Sequence, residues 1–157
     1  LKCEPSKIGV NRKSQNRYTV AMKHTKPVAN YMNLLAAMER ALKTANIPII
    51  ITEATLKQPG PRILFVNRAF CASTGYSEKE LVGKTPRILQ GPRTNRLLLQ
   101  KLAERLKNGE PFIGQTINYR KDGVPYLATW NISPICDDNG KITHYVSFQL
   151  HSQAPRE

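Results

Sequence analysis

The sequence predicts an α+β protein: a five-stranded antiparallel sheet with helices on one face, preceded by an amphipathic helix. Three observations lead there. Five β-branched or alternating segments fall as two before and three after a helical middle. Turn-forming clusters of Asp, Asn and Gly join the last three segments as hairpins. The helical segments are grouped in the middle rather than interleaved with strands, the pattern of helices segregated to one side of an antiparallel sheet.

Residues 1–27 have no apolar periodicity and are rich in Lys, Ser and Asn, so a basic flexible arm or linker is expected. Over 28–45 the pattern changes. Tyr31, Leu34, Leu35, Met38 and Leu42 form one stripe of a flanking amphipathic helix. Glu39 stands four residues before Lys43 on another face, in the supportive order. The stripe is expected to pack outside the compact domain or to dimerise; an ordinary core helix is the plainer alternative. Ile47 to Thr52 reads as the first strand, Gln58-Pro59-Gly60-Pro61 as a turn, and Arg62 to Val66 as the second strand. Ser77 ahead of Glu78 and Glu80 reads as a helix N-cap with an acidic first turn. Pro92 to Lys107 is expected to hold a longer helix with Leu98, Leu99, Leu102 and Leu106 inward, closed by Asn108-Gly109. Phe112 to Arg120, Val124 to Ile135 and Lys141 to His151 read as the last three strands. Lys121-Asp122-Gly123 and Asp137-Asp138-Asn139-Gly140 are the turns between them. The domain is expected over 46–151, with 152–157 the start of a linker.

At 157 residues the chain can bury one real core. Its longest apolar run, Ile47 to Ile51, falls far short of the roughly 20 residues of a membrane span. Without an initiator Met, the chain is expected to be a piece of a longer protein or a processed one. Cys3, Cys71 and Cys136 are odd in number and lack metal-ligand spacing, so free thiols in a reducing, cytoplasmic setting are expected. The net charge is +13. Lys2, Lys7, Arg12, Lys13, Arg17, Lys23 and Lys26 face only Glu4 in the arm, and a second excess runs from Lys84 to Lys121. Such fields attract polyanions or an acidic partner. Nucleic acid is disfavoured because Tyr18 is the arm's one aromatic, too few for a stacking platform. An enzyme is the least favoured class: His24, His144 and His151 are widely spaced with no paired nucleophile, and no phosphate-binding glycine loop is present.

Three motifs carry a family resemblance. Phe65-Val66-Asn67-Arg68-Ala69-Phe70 followed by Thr74-Gly75-Tyr76-Ser77 resembles a stretch of many PAS domains. Glu80 to Pro92 resembles the signature of the LOV subgroup, and Ile117-Asn118-Tyr119-Arg120-Lys121-Asp122-Gly123 resembles its hairpin. The resemblance runs from about Ile47 to Leu150 and implies the PAS fold. LOV domains hold flavin mononucleotide (FMN), attacked by a cysteine after blue light. Pro86 stands at that cysteine's position and has no nucleophile.

The resemblance also implies a candidate flavin pocket: Thr52, Arg87 toward the phosphate, Gln90 toward the ribityl chain, Asn118 toward the pyrimidine edge, and Gln149 as the last-strand glutamine that switches its bonds. Thr85, Ala103 and Ala128 depart from it, replacing an asparagine, the second phosphate arginine and the second asparagine. Loss of one such arginine costs about tenfold to a hundredfold in affinity, with Arg96 or Lys101 as candidate replacements. The cofactor expectation is therefore FMN or none. The leading function is a non-catalytic sensory or regulatory PAS module, acting through ligand binding or protein–protein interaction within a larger signalling protein. Its implied partners are a protein, a fused histidine kinase or diguanylate cyclase, or a second copy as a homodimer. One alternative is a cysteine-less flavin sensor of blue light or redox state, with Trp130 or a tyrosine as electron donor. Another is a basic scaffold docking an acidic partner.

Overall fold

The computed structural model describes residues 27–156. The basic arm, apart from Pro27, lies outside them. Helix α1 spans Pro27–Thr44, and strands β1 (Ile49–Glu53) and β2 (Ile63–Val66) form a hairpin. Helices α2 (Arg68–Thr74) and α3 (Glu78–Leu81), a 3-10 turn (Pro86–Leu89) and helix α4 (Arg96–Lys107) follow. Strands β3 (Phe112–Tyr119), β4 (Pro125–Cys136) and β5 (Ile142–Gln153) complete an antiparallel sheet of order β2-β1-β5-β4-β3. The predicted fold class is the observed one.

Period-two alternation sets the sheet's two faces. Tyr145, Ser147 and Gln149 of β5 point into the fold, while Phe148 and Leu150 point out and are exposed. Ile50, Ile63, Val66, Phe70, Leu81 and Leu89 form one core cluster. Tyr126, Ala128 and Trp130 form a second, against which Leu98, Leu99 and Leu102 of α4 pack.

The quoted motifs meet in space, which explains their residue types. Buried Asn67 caps α2 by accepting from Phe70 N (3.0 Å) and also accepts from Ile49 N (3.0 Å). Its amide nitrogen approaches the Leu42, Ala45 and Ile47 carbonyls at 3.2, 3.2 and 2.8 Å. One side chain thus satisfies carbonyls left over where α1 ends and fixes the entry into β1. Gly75 closes α2 with φ 77°, a left-handed position that suits glycine. Thr74 O accepts from Lys121 N (2.9 Å), and Arg120 donates to Ser73 O, so the first motif meets the third. A side chain at Gly91 would collide with the Tyr119 ring, while Tyr119 Oη accepts from Arg93 N (3.1 Å).

Several element boundaries differ from expectation, two of them in ways that change a reading. Helix α4 begins at Arg96 rather than near Pro92. Thr94 N donates to Gly91 O in a turn, and Asn95 then caps the helix by accepting from Leu98 N (3.0 Å). Strand β5 runs past His151 to Gln153, because Leu127 and Tyr126 of β4 still pair with Ser152 and Gln153. The linker expected at 152 is therefore strand in its first two residues. The thiol expectation is corrected too: Cys71 is free, but Cys136 is disulfide-bonded. Cys136 thus no longer supports a reducing compartment. The stripe of α1 is not core: Leu34, Leu35 and Met38 are exposed, as is neighbouring Met32, while Leu42 is half-buried.

Candidate functional site

A cavity of about 450 Å³ lies between the inner face of the sheet and the 3-10 turn, α4 and the β1–β2 loop. All five candidate residues, Thr52, Arg87, Gln90, Asn118 and Gln149, line it. Strands supply Thr52, Asn118 and Gln149, each buried, because inward pleat positions have one direction available. The 3-10 turn supplies exposed Arg87, and Gln90 follows it half-buried. Apolar lining comes from Ile50, Leu89, Leu99, Leu106, Trp130 and Ile132. A few polar groups on an apolar wall make a ligand site.

The polar groups are not equally committed. Thr52 Oγ1 donates to Glu53 O (3.1 Å), and Gln90 Oε1 accepts from Arg96 Nη1 (3.1 Å). Arg87 Nε donates to Pro59 O (2.9 Å), which leaves the terminal nitrogens of its guanidinium without a bond among the described residues. Asn118 is 5% exposed, and its Oδ1 has no hydrogen-bond partner among the described residues. The Tyr126 hydroxyl likewise has no aligned partner, although the Asn118 side chain lies close enough to act on it as a hydrogen-bonding group and to lower its pKa. Burial pushes Tyr126 up to about 12, so it stays a neutral phenol. An orphaned buried acceptor costs on the order of 1–3 kcal/mol unless something fills it. A ligand N–H of the imide kind would do so. On this test the residues present fit a flavin edge.

Gln149 sits in a relay. Its Oε1 lies 2.7 Å from His151 Nε2, and its Nε2 donates to Ser147 Oγ (3.2 Å). His151 Nδ1 lies 2.7 Å from Ser73 Oγ of α2. Burial, reinforced by Arg120, lowers the His151 pKa to about 4, so the imidazole is neutral near pH 7. A neutral imidazole has one donor and one acceptor nitrogen. If the Gln149 amide reverses, the other His151 tautomer and a rotated Ser147 hydroxyl satisfy it equally. Ser73 Oγ, whose one proton serves His151 Nδ1 in the first arrangement, then accepts from His151 and turns that proton to Phe70 O (3.1 Å). A bond change at the cavity thereby reaches α2 without an unpaired buried group.

The departing positions divide. Thr85, Pro86 and Ala103 line the cavity; Ala128 is fully buried beside it, in the cluster with Tyr126 and Trp130. Trp130, named as an electron donor from sequence, lines the cavity and pairs with Gln149. Of the candidate arginine replacements, Arg96 lines the cavity and Lys101 does not. Sequence reasoning missed Gln58, Gln100, Tyr145 and Ser147. Period two back from Gln149 would have found Ser147 and Tyr145; Gln58 sits in a loop with no period to read. Cys71 is not in the lining, and burial raises its thiol pKa.

Comparison with known proteins agrees with this architecture. Residues 48–150 match the family model described as PAS domain. The chain belongs to the PAS domain family. It is 35% identical to Phototropin-2 of Oryza sativa over 113 residues, which are 72% of this chain and 12% of that protein. It is 36% identical to a blue-light-activated histidine kinase of Brucella anthropi over 110 residues, 70% of this chain and 22% of that protein. The solved LOV domain of the Erythrobacter litoralis EL346 blue-light activated histidine kinase superposes with a TM-score of 0.62 at 30% identity. That match covers 68% of this chain and 97% of the solved one. This PAS chain thus spans under a quarter of either full-length relative, and it is a sensory-type module similar to the solved LOV domain. Among the described residues no helix is long and apolar enough to cross a membrane.

Proposed function

We propose that this PAS module is the non-catalytic sensory part, over 46–151, of a larger signalling protein, and that its cavity holds a flavin. The observation that carries the reading is the single cavity lined by all five candidate residues, with the buried, orphaned Asn118 Oδ1 among them. A bound flavin would supply visible absorption and reversible electron uptake. Asn118 would accept from its imide N–H, and Arg87 would hold its phosphate through the free part of a fork that suits phosphate oxygens. Gln149 would read changes in the ligand's hydrogen bonding and pass them to His151 and α2. Pro86 removes the thiol-adduct route, so the signal rests on hydrogen bonds and electron transfer, with Trp130 as the candidate donor.

Output passes to a fused domain, such as a histidine kinase or diguanylate cyclase, or to a second copy through the exposed stripe of α1. The light-activated histidine kinase among similar proteins supports the fused arrangement. The direct test is a fluorescence titration of the flavin-free protein with FMN. Saturable quenching that weakens at least tenfold in Asn118→Leu is expected. Unsaturable quenching, equal in both proteins, overturns the reading.

A further inference from the structure

Outside the cavity, an open groove of about 760 Å³ lies where the β1–β2 loop, α4 and the start of β5 meet. Its floor is apolar: Ala54, Leu56 and Ile142, each half-buried, and buried Tyr145. The Tyr145 hydroxyl donates to Leu106 O (3.2 Å), so its polar atom is spent within the fold and adds no polarity to the floor. The rim carries three exposed lysines, one from each element: Lys57 from the loop, Lys107 from α4 and Lys141 from the foot of β5. Glu104 is the only carboxylate in the lining. Other surface cations hold a carboxylate of their own. Lys43 holds Glu39 at 2.7 Å, Arg105 holds Glu110 at 2.7 Å and Lys121 holds Glu80 at 2.5 Å. None of Lys57, Lys107 and Lys141 has an ion pair among the described residues. Three unpaired like charges on one groove repel one another, and a bound anion reverses that cost.

What the groove lacks narrows its occupant. Its aromatic residue is buried Tyr145, and it has no arginine. It therefore offers neither a base-stacking platform nor a guanidinium fork for phosphates. Its apolar residues are recessed and its lysines outermost, whereas a membrane-binding face presents apolar side chains for insertion. A segment with carboxylates around an apolar anchor matches both parts: the anchor takes the floor out of water, and the carboxylates meet the rim. We propose that this groove docks an acidic peptide segment of a partner protein, its apolar anchor on Leu56, Ile142 and Tyr145 and its carboxylates on the three lysines. Docking there requires nothing of the cavity's contents, so it stands or falls apart from the flavin reading.

The probe is a fluorescein-labelled peptide of alternating glutamate and leucine, titrated into the full chain by fluorescence anisotropy at low and at raised salt. Saturable binding that weakens as salt rises is expected. It should weaken about tenfold or more when the glutamates become glutamine, and again when the leucines become serine. These two probes need no protein variant. Lys107→Glu with Lys141→Glu should also cost about tenfold or more. Lys79→Glu with Lys84→Glu makes the same change in net charge at exposed positions outside the groove, and should cost no more than about threefold. Equal losses in the two charge-reversed pairs would assign binding to the overall charge of +13 and overturn the docking site. Unsaturable binding, or equal affinity for the glutamate–leucine probe and either replacement, overturns it as well. Tighter binding of polyuridine or of phosphatidylserine vesicles, lost in Lys107→Glu with Lys141→Glu, would assign the groove to that polyanion instead.

Discussion

On the sheet side of the cavity Thr52, Asn118, Ser147 and Gln149 are buried, whereas on the helix and loop side Arg87, Arg96, Gln100 and Ala103 are exposed. The sheet side is held by register: Trp130 lies opposite Gln149, and Ser147 opposite both Ile50 and Ile132. The other side is held by side-chain reach, as in the Arg96–Gln90 and Arg87–Pro59 contacts. A strand position cannot change its direction without a register slip that moves every neighbour. An exposed helix position can exchange Arg for Ala at little cost to the fold. The sheet wall therefore keeps the ligand's hydrogen-bonding edge fixed, and the rim is where ligand form and affinity can be retuned.

That contrast can be tested in steps of falling size. Asn118→Leu is expected to weaken flavin binding by about tenfold to a hundredfold. The same change should leave the melting temperature of the ligand-free protein unchanged or raised, because it removes an orphaned buried acceptor. A fall in both would show that Asn118 serves the fold instead. Arg87→Ala should cost about tenfold in affinity for a phosphorylated flavin and nothing for riboflavin, with no change in melting temperature. Equal losses for both ligands would place Arg87 in the fold rather than at a phosphate.

The relay behind the sheet wall predicts an acid limb of stability. His151 has a folded pKa near 4, below the usual histidine value, so the unfolded chain takes up its proton first. Its contribution is complete above pH of about 6.5 and is lost as pH falls from there toward about 4. About 1–2 kcal/mol is expected after allowing for partial solvation, read by urea melts across that range. His151→Leu should flatten the limb, and an unchanged limb in that variant would assign it to other groups. The smallest effect belongs to the surface clasp between Lys121 and Glu80 (2.5 Å), which joins the β3–β4 turn to α3. Lys121, with the Ser77 N–H and hydroxyl, holds Glu80 down near pH 2. Glu80 is solvent-exposed, so Lys121→Ala should shift the melting temperature by no more than a degree or two.

The strand-borne half of this arrangement was legible in the sequence. Alternation in Phe112 to Arg120 and in the last strand, with turn residues between, places Asn118 and Gln149 on one face before any coordinates. The motif around Asn67 was legible as a resemblance, but its bonds to Leu42, Ala45 and Ile47 were not. They join residues 20 to 25 apart, and no local period encodes them. Helix α4's start escaped because the cap, Asn95, stands behind a turn that Pro92 opens. The disulfide at Cys136 ran against a count-based argument, since an odd number of cysteines does not exclude one pair.

The most direct measurement is the visible absorption spectrum of the purified protein, with its supernatant after denaturation. A structured blue band, released into the supernatant as free flavin on unfolding, is the expected result. A colourless protein that stays colourless after incubation with FMN would contradict a flavin in the cavity of this PAS module.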